Sequence, residues 1–325
     1  MQHHFSRFLI LASCLAVVFF ASCEKAKSIP DEILKIPVDV KVQRFDQRFA
    51  DATADSLPRL MRQFPYLFPG QYDRQFWEDR LVDTLQLRLN EEVAEAFPDF
   101  EAEAQDLELL FKHIKYYYPK YEVPTIVTVT SFVDYKNRVI LNDSLLLISL
   151  DVYLGADHEF YNGIQKYFSQ NFRPEQIDVD VASAFAKRKL GPPSGRQFID
   201  EMIHQGKRLY LMEALLPLKA KNELMGYSTE QLEWAEKNEV NIWTYFVENE
   251  ILFDTDPKLL QRFMNPAPFS KFYMEFDNET PPRLGRYIGW QIVRSYMEKN
   301  NIPLQMLASK SSDEIFKNAG YKPKK

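Results

Sequence analysis

The stretch that most constrains this fold runs from Pro281 to Met297 and is apolar almost all round, so it predicts a helix buried on most of its surface. Pro281 and Pro282 open it, where a missing N–H is harmless, and the pattern continues to about residue 300. Gly285 and Gly289 lie one turn apart, and each costs a helix about 1 kcal/mol relative to alanine. Two such glycines make sense where another segment packs closely. Arg283, Arg286, Trp290 and Arg294 fall on one stripe, and Lys207 is a further candidate for the same cluster. Guanidinium groups on a buried face need anionic partners. The expected partners are carboxylates of the same chain, with Glu201 and the acidic helix around Glu236 as candidates. The alternative is an anionic ligand, a phosphate or carboxylate, or an acidic partner segment.

The other end of the chain says where the protein works. Residues 8–21 are an apolar run of 14, too short for a membrane span, and Ala21-Ser22-Cys23 closes it before Glu24 and Lys25. This reads as a lipoprotein signal peptide over residues 1–22, with Cys23 as the lipidated residue. Leu11-Ala12-Ser13-Cys14 has suitable residue types too, but cleavage there leaves almost no apolar stretch upstream. Residues 23–37 are then a charged tether, and residues 38–325 form a single domain with no internal linker or repeat.

Removing residues 1–22 takes away Arg7 and moves the net charge from −6 to −7, which argues against nucleic acid as a partner. It also removes Cys14, leaving Cys23 as the one cysteine. Neither an internal disulfide nor a thiolate metal site is available, so stability must come from packing.

Periodicity predicts an α+β fold, predominantly helical with a small sheet. Residues 74–96 and 99–118 read as helices, the second stopped by Pro119. Residues 125–130 alternate with period two and are β-branched, hence a strand; residues 138–141 and 145–150 are further strands around an Asn142-Asp143-Ser144 turn. Helices return at 194–216, with Ser194 and Gln197 as a capping box, and at 228–250, with Ser228 and Gln231 as another.

The helix at 194–216 places Phe198, Ile199, Met202, Ile203, Gly206, Leu209 and Tyr210 on an apolar stripe. Asp200, Glu201, His204, Lys207 and Arg208 form a polar face, expected to be solvated or salt-bridged. Asp200-Glu201-Met202-Ile203-His204 is a degenerate form of the zinc-peptidase pattern in which two histidines one turn apart hold the metal. An aspartate replaces the first histidine. His158-Glu159 also starts such a pattern but lacks the second histidine. No catalytic residue, metal or cofactor is therefore expected. The alternative is a zinc hydrolase with Glu201 as base and Asp200, His204, Glu236 and Glu239 as candidate ligands.

Pro282-Arg283-Leu284-Gly285-Arg286-Tyr287-Ile288-Gly289-Trp290, continuing to Arg294-Ser295-Tyr296-Met297, resembles the C-terminal signature of the GldB family, gliding-motility lipoproteins of the Bacteroidetes. Gln205-Gly206-Lys207-Arg208-Leu209-Tyr210 with Leu215-Leu216-Pro217 resembles that family's central block. Trp234-Ala235-Glu236-Lys237-Asn238-Glu239 with Ile242-Trp243, Leu154-Gly155 near His158, and Cys23 are similar to it as well. The resemblance spans nearly the whole chain. It implies a lipid-anchored protein of the cell envelope, outside the cytoplasm, whose partners are other gliding or secretion proteins. It also implies a distant similarity to predicted zinc peptidases, hence a zincin-like arrangement with a degenerate metal motif.

Overall fold

Three of the four strands lie parallel. In the computed structural model, which describes residues 28–324, the sheet order is β1 (Val42–Arg44), β2 (Thr125–Val129), β4 (Leu145–Ser149) and β3 (Val139–Leu141). The β1, β2 and β4 strands run parallel, and β3 is the antiparallel edge. Cys23 and residues 1–22, expected to be a signal peptide, lie outside the described residues. Among the described residues no helix is long and apolar enough to cross a membrane.

The alternation of β2 decides how the sheet is used. Ile126 is buried in the main core, together with Leu146 and Ile148 of β4. Val127, one residue on, points to the other face and joins a smaller cluster of Phe45, Phe49, Phe64, Phe68 and Trp77. The sheet is thus covered on both sides, as parallel strands require.

Among the described residues nine helices of eight residues or more surround it: α1 (Arg74–Val82), α2 (Thr84–Ala96), α3 (Glu101–Tyr117), α4 (Ile177–Leu190), α5 (Phe198–Leu215), α6 (Thr229–Lys237), α7 (Glu239–Glu248), α8 (Leu284–Asn300) and α9 (Ser312–Ala319). Two predicted helices are each a pair. Asp83 ends α1 and caps α2 by accepting a hydrogen bond from Gln86 N at 2.9 Å. Asn238 separates α6 from α7 and turns its amide onto the Trp234 carbonyl. The Ser228–Gln231 capping box forms as expected. The other does not: α5 is capped by Gln197, and its box partner is Asp200. The expected tether is docked from residue 31 onward. Asp31–Leu34 is a short helix with Ile33 buried, and Tyr116 donates a hydrogen bond to Glu32.

The α8 helix is buried on nearly every side, as its composition predicts. It crosses α5 where both backbones are bare. A β-carbon at Gly289 would sit 1.8 Å from the Met202 carbonyl oxygen, and one at Gly285 would sit 2.5 Å from Met264 Sδ. The glycine cost is repaid by this approach.

Candidate functional site

The α5–α8 crossing fixes the arginines. Arg208 lies two residues beyond Gly206 on α5, and Arg286 lies three residues before Gly289 on α8. Arg283 is the N-cap of α8 and holds a left-handed backbone, φ 61°, uncommon for a side chain of this size. The three guanidinium-bearing side chains and Arg138, just before β3, line one cavity of about 190 Å³ between α4, α5 and the start of α8.

Two carboxylates line the same cavity, and both are already paired. Asp180 on α4 accepts two hydrogen bonds from Arg138, at 2.5 and 2.7 Å, and a third from Tyr153 Oη at 2.9 Å. Burial opposes the charge on Arg138, but Asp180 overcomes it and raises its pKa. Glu223 meets Arg173 at 3.5 Å.

The other three arginines have no such partner. Among the described residues none of Arg208, Arg283 and Arg286 forms an ion pair. Arg208 donates to Ser183 Oγ. Arg283 Nη2 donates to the Gly226 carbonyl at 3.0 Å, and Arg286 Nε to the Met264 carbonyl at 2.5 Å. Each guanidinium carries five N–H donors, so most remain for whatever enters the cavity. The expectation of a carboxylate for every stripe arginine therefore fails at Arg283 and Arg286, because Glu201 and Glu236 are engaged or placed elsewhere.

Electrostatics show the cost. Burial lowers the pKa of Arg208, with Arg138 adding to the effect against Asp180. Burial likewise lowers that of Arg283. Arg286 is pushed down to about 9, by burial first and then by its neighbours Arg283 and Arg208. Three like charges share the lining of one partly open cavity.

Among the neutral side chains of the lining, Gln176 stands out. Gln176, 2% exposed, has an Nε2 without any hydrogen-bond partner. Gly226 shapes the wall. Its φ of +64° would strain any side chain there, and a β-carbon would come within 2.8 Å of Asn171 Nδ2, which would have to shift. Its carbonyl collects hydrogen bonds from Gln170, Asn171 and Arg283.

The rest of the predicted stripe does something different. Arg294 Nε donates to Glu213 at 2.8 Å, Trp290 Nε1 donates to the same carboxylate at 3.0 Å, and the guanidinium stacks 4.1 Å from the Trp290 ring. This half is a satisfied structural triad. Lys207 is also elsewhere: it is buried and donates to the Lys310 carbonyl. It does not line the arginine cavity.

The polar face of α5, expected to be solvated or salt-bridged, is partly covered, since α4, α8 and α9 pack around that helix, and only Lys207 on it is fully buried. The candidate zinc ligands do not converge. Asp200 accepts from Gln197 N at 3.0 Å in the capping box, and Glu201 accepts from Gln205 Nε2 at 2.9 Å. Glu236 is exposed. Glu239 is buried and takes hydrogen bonds from Tyr287, Tyr321 and the Lys324 backbone. Burial lowers the pKa of His204. Among the described residues no three His, Cys, Asp or Glu side chains are grouped to hold a metal. His158 accepts from Phe160 N through Nδ1 and meets Glu92 at 3.2 Å through Nε2.

A wider cleft of about 560 Å³ lies beside Glu213, Glu239 and Arg294, but those charges already satisfy one another or nearby tyrosines. Arg138, Gln176 and Arg208 were not singled out from the sequence as members of this site. Only Arg208 carried a signal, its place inside the central block that resembles the family's.

Searches among curated proteins and among solved structures return no match. A family model described as gliding motility protein GldB matches residues 26–323. The chain thus belongs to the GldB family of gliding motility proteins.

Proposed function

We propose that this protein is a lipid-anchored envelope component, held through Cys23, which serves gliding or secretion machinery as a binding protein and not as an enzyme. Its binding site is the arginine cavity, which receives an anionic group carried by a partner or an envelope molecule. The observation that carries this reading is the set of three unpaired guanidinium groups from two helices, Arg208, Arg283 and Arg286, facing one small cavity. A fold that needed these charges only for stability would supply carboxylates, as it does for Arg138 and Arg294.

The zinc-hydrolase reading, with its zincin-like arrangement, is less well supported. Asp200 is engaged in capping α5, Glu239 accepts hydrogen bonds from Tyr287 and Tyr321, and among the described residues no three candidate ligands are grouped.

Crosslinking in the native envelope tests the proposal. The wild-type protein is expected to capture motility or secretion components, and the same products are expected to disappear in Arg286→Gln while protein abundance is unchanged. Identical capture by both proteins contradicts it.

A further inference from the structure

We infer that the anionic group entering the arginine cavity is a phosphate monoester or free phosphate in its dianionic form. This rests on the reading of the cavity as an anion site and names the chemistry of its ligand.

Charge balance is the first argument. Once Arg138–Asp180 and Glu223–Arg173 are set aside as pairs, three positive charges remain. A carboxylate brings one negative charge; a phosphate monoester brings about 1.5 to 2 at pH 7. Burial and mutual repulsion already hold Arg286 well below the ordinary arginine range, so the larger counter-charge relieves more.

Donor geometry is the second. The donors come from separate elements: Arg208 on α5, Arg283 and Arg286 at the start of α8, and Gln176 just before α4. A planar carboxylate matches one guanidinium in a bidentate pair. A phosphoryl group presents three acceptor oxygens in three directions, which suits donors arriving from several sides. The unpartnered Nε2 of Gln176, nine-tenths buried and more, is a donor that the fold itself leaves unused.

Size is the third. At about 190 Å³ the cavity is smaller than the ~300–1,000 Å³ typical of sites that enclose a whole organic ligand. It holds one compact group, with anything attached left outside.

The test uses the full-length lipoprotein purified in detergent, with calorimetric titration at fixed ionic strength. The probes are inorganic phosphate, glycerol 3-phosphate and acetate. Phosphate is expected to bind and to bind more tightly at about pH 7.5 than at about pH 5.5, since the second ionisation of a phosphate monoester lies near pH 6 and that of the free ion about one unit higher. Arg286→Gln and Arg208→Gln are each expected to weaken it roughly tenfold or more. Arg88→Gln, at an exposed pair with Glu159, leaves it unchanged. Melting temperatures without phosphate keep folding apart from binding: both cavity variants should melt no lower than wild type and lose the phosphate-induced rise. Glycerol 3-phosphate binding at least as tightly as phosphate points to a monoester on a larger molecule such as a lipid headgroup. Phosphate binding alone points to the free ion. Acetate binding without phosphate binding overturns the inference and leaves the anion site standing. If none of the three binds, the anion site falls too.

Discussion

A β-carbon on Gly206 would lie 2.2 Å from the carbonyl oxygen of Gly289. The two helices that carry Arg208 and Arg286 thus meet backbone to backbone, and no side chain can separate them. The obstacle is main chain on both sides, so it cannot rotate away. Gly206→Ala and Gly289→Ala are expected to cost about 3 kcal/mol or more, the upper end of overpacking penalties. Denaturant midpoints measure this. Gly70→Ala, where nothing lies within 4 Å of the added carbon, should shift the midpoint little and serves as the control.

Arg294→Ala should destabilise the fold. It strands Glu213, whose other partner is the Trp290 indole, and removes the guanidinium stacked on that ring. Both side chains of the pair are less than a third exposed, so the low end of the range for broken buried pairs applies, about 3 kcal/mol. Thermal and chemical unfolding should fall together, and an unchanged midpoint refutes the structural role.

Much of this architecture was legible in the sequence. The alternation at residues 125–129 gave the strand that divides the two cores, and the unbroken apolarity of α8 predicted its burial. The glycines of α8 predicted a close neighbour without naming it. Reading failed where tertiary cover decides the outcome. The charged face of α5 has the pattern of a wet surface, yet α4, α8 and α9 pack around the helix and leave that face only partly exposed. The pattern reads Arg208 as part of a solvated or salt-bridged face, and it lines a cavity with Arg286. Arg138 and Gln176 reach that cavity from other elements, and no one-dimensional period connects them to α8. The split of the arginine stripe was equally hidden: Arg294 found Glu213 on α5, whereas Arg283 and Arg286 found only carbonyl oxygens.

Acid should weaken the fold through His113. Its Nδ1 pairs with the Leu109 carbonyl at 2.9 Å, its Nε2 has no partner, and burial lowers its pKa below the ordinary 6.5. The folded state holds this imidazole neutral, so the unfolded chain takes up the proton first as pH falls. The contribution is full above about pH 6.5 and declines as pH drops towards the depressed folded value. Denaturant midpoints at about pH 5 and about pH 7.5 should differ less in His113→Gln than in wild type. Equal differences contradict the assignment.

Membrane attachment is expected to depend on one atom, the Cys23 sulfur. The apolar run closed by Ala21-Ser22-Cys23 motivates this, and these residues lie outside those the structure describes. Mass spectrometry of the native N-terminus should find a lipidated Cys23, and Cys23→Ser should release the protein or leave it unprocessed. A mature chain beginning at any other residue refutes the anchor.

The central claim is that Arg286 serves binding and not stability, and one variant tests it. Arg286→Gln removes a charge that burial, Arg283 and Arg208 all disfavour, while the amide can still donate towards the Met264 carbonyl. The measurement is chemical unfolding of the purified variant, paired with complementation of a deletion strain. The account predicts a denaturant midpoint equal to or above wild type, normal abundance in the envelope, and lost motility or secretion. A lower midpoint together with reduced abundance, or full complementation, contradicts it.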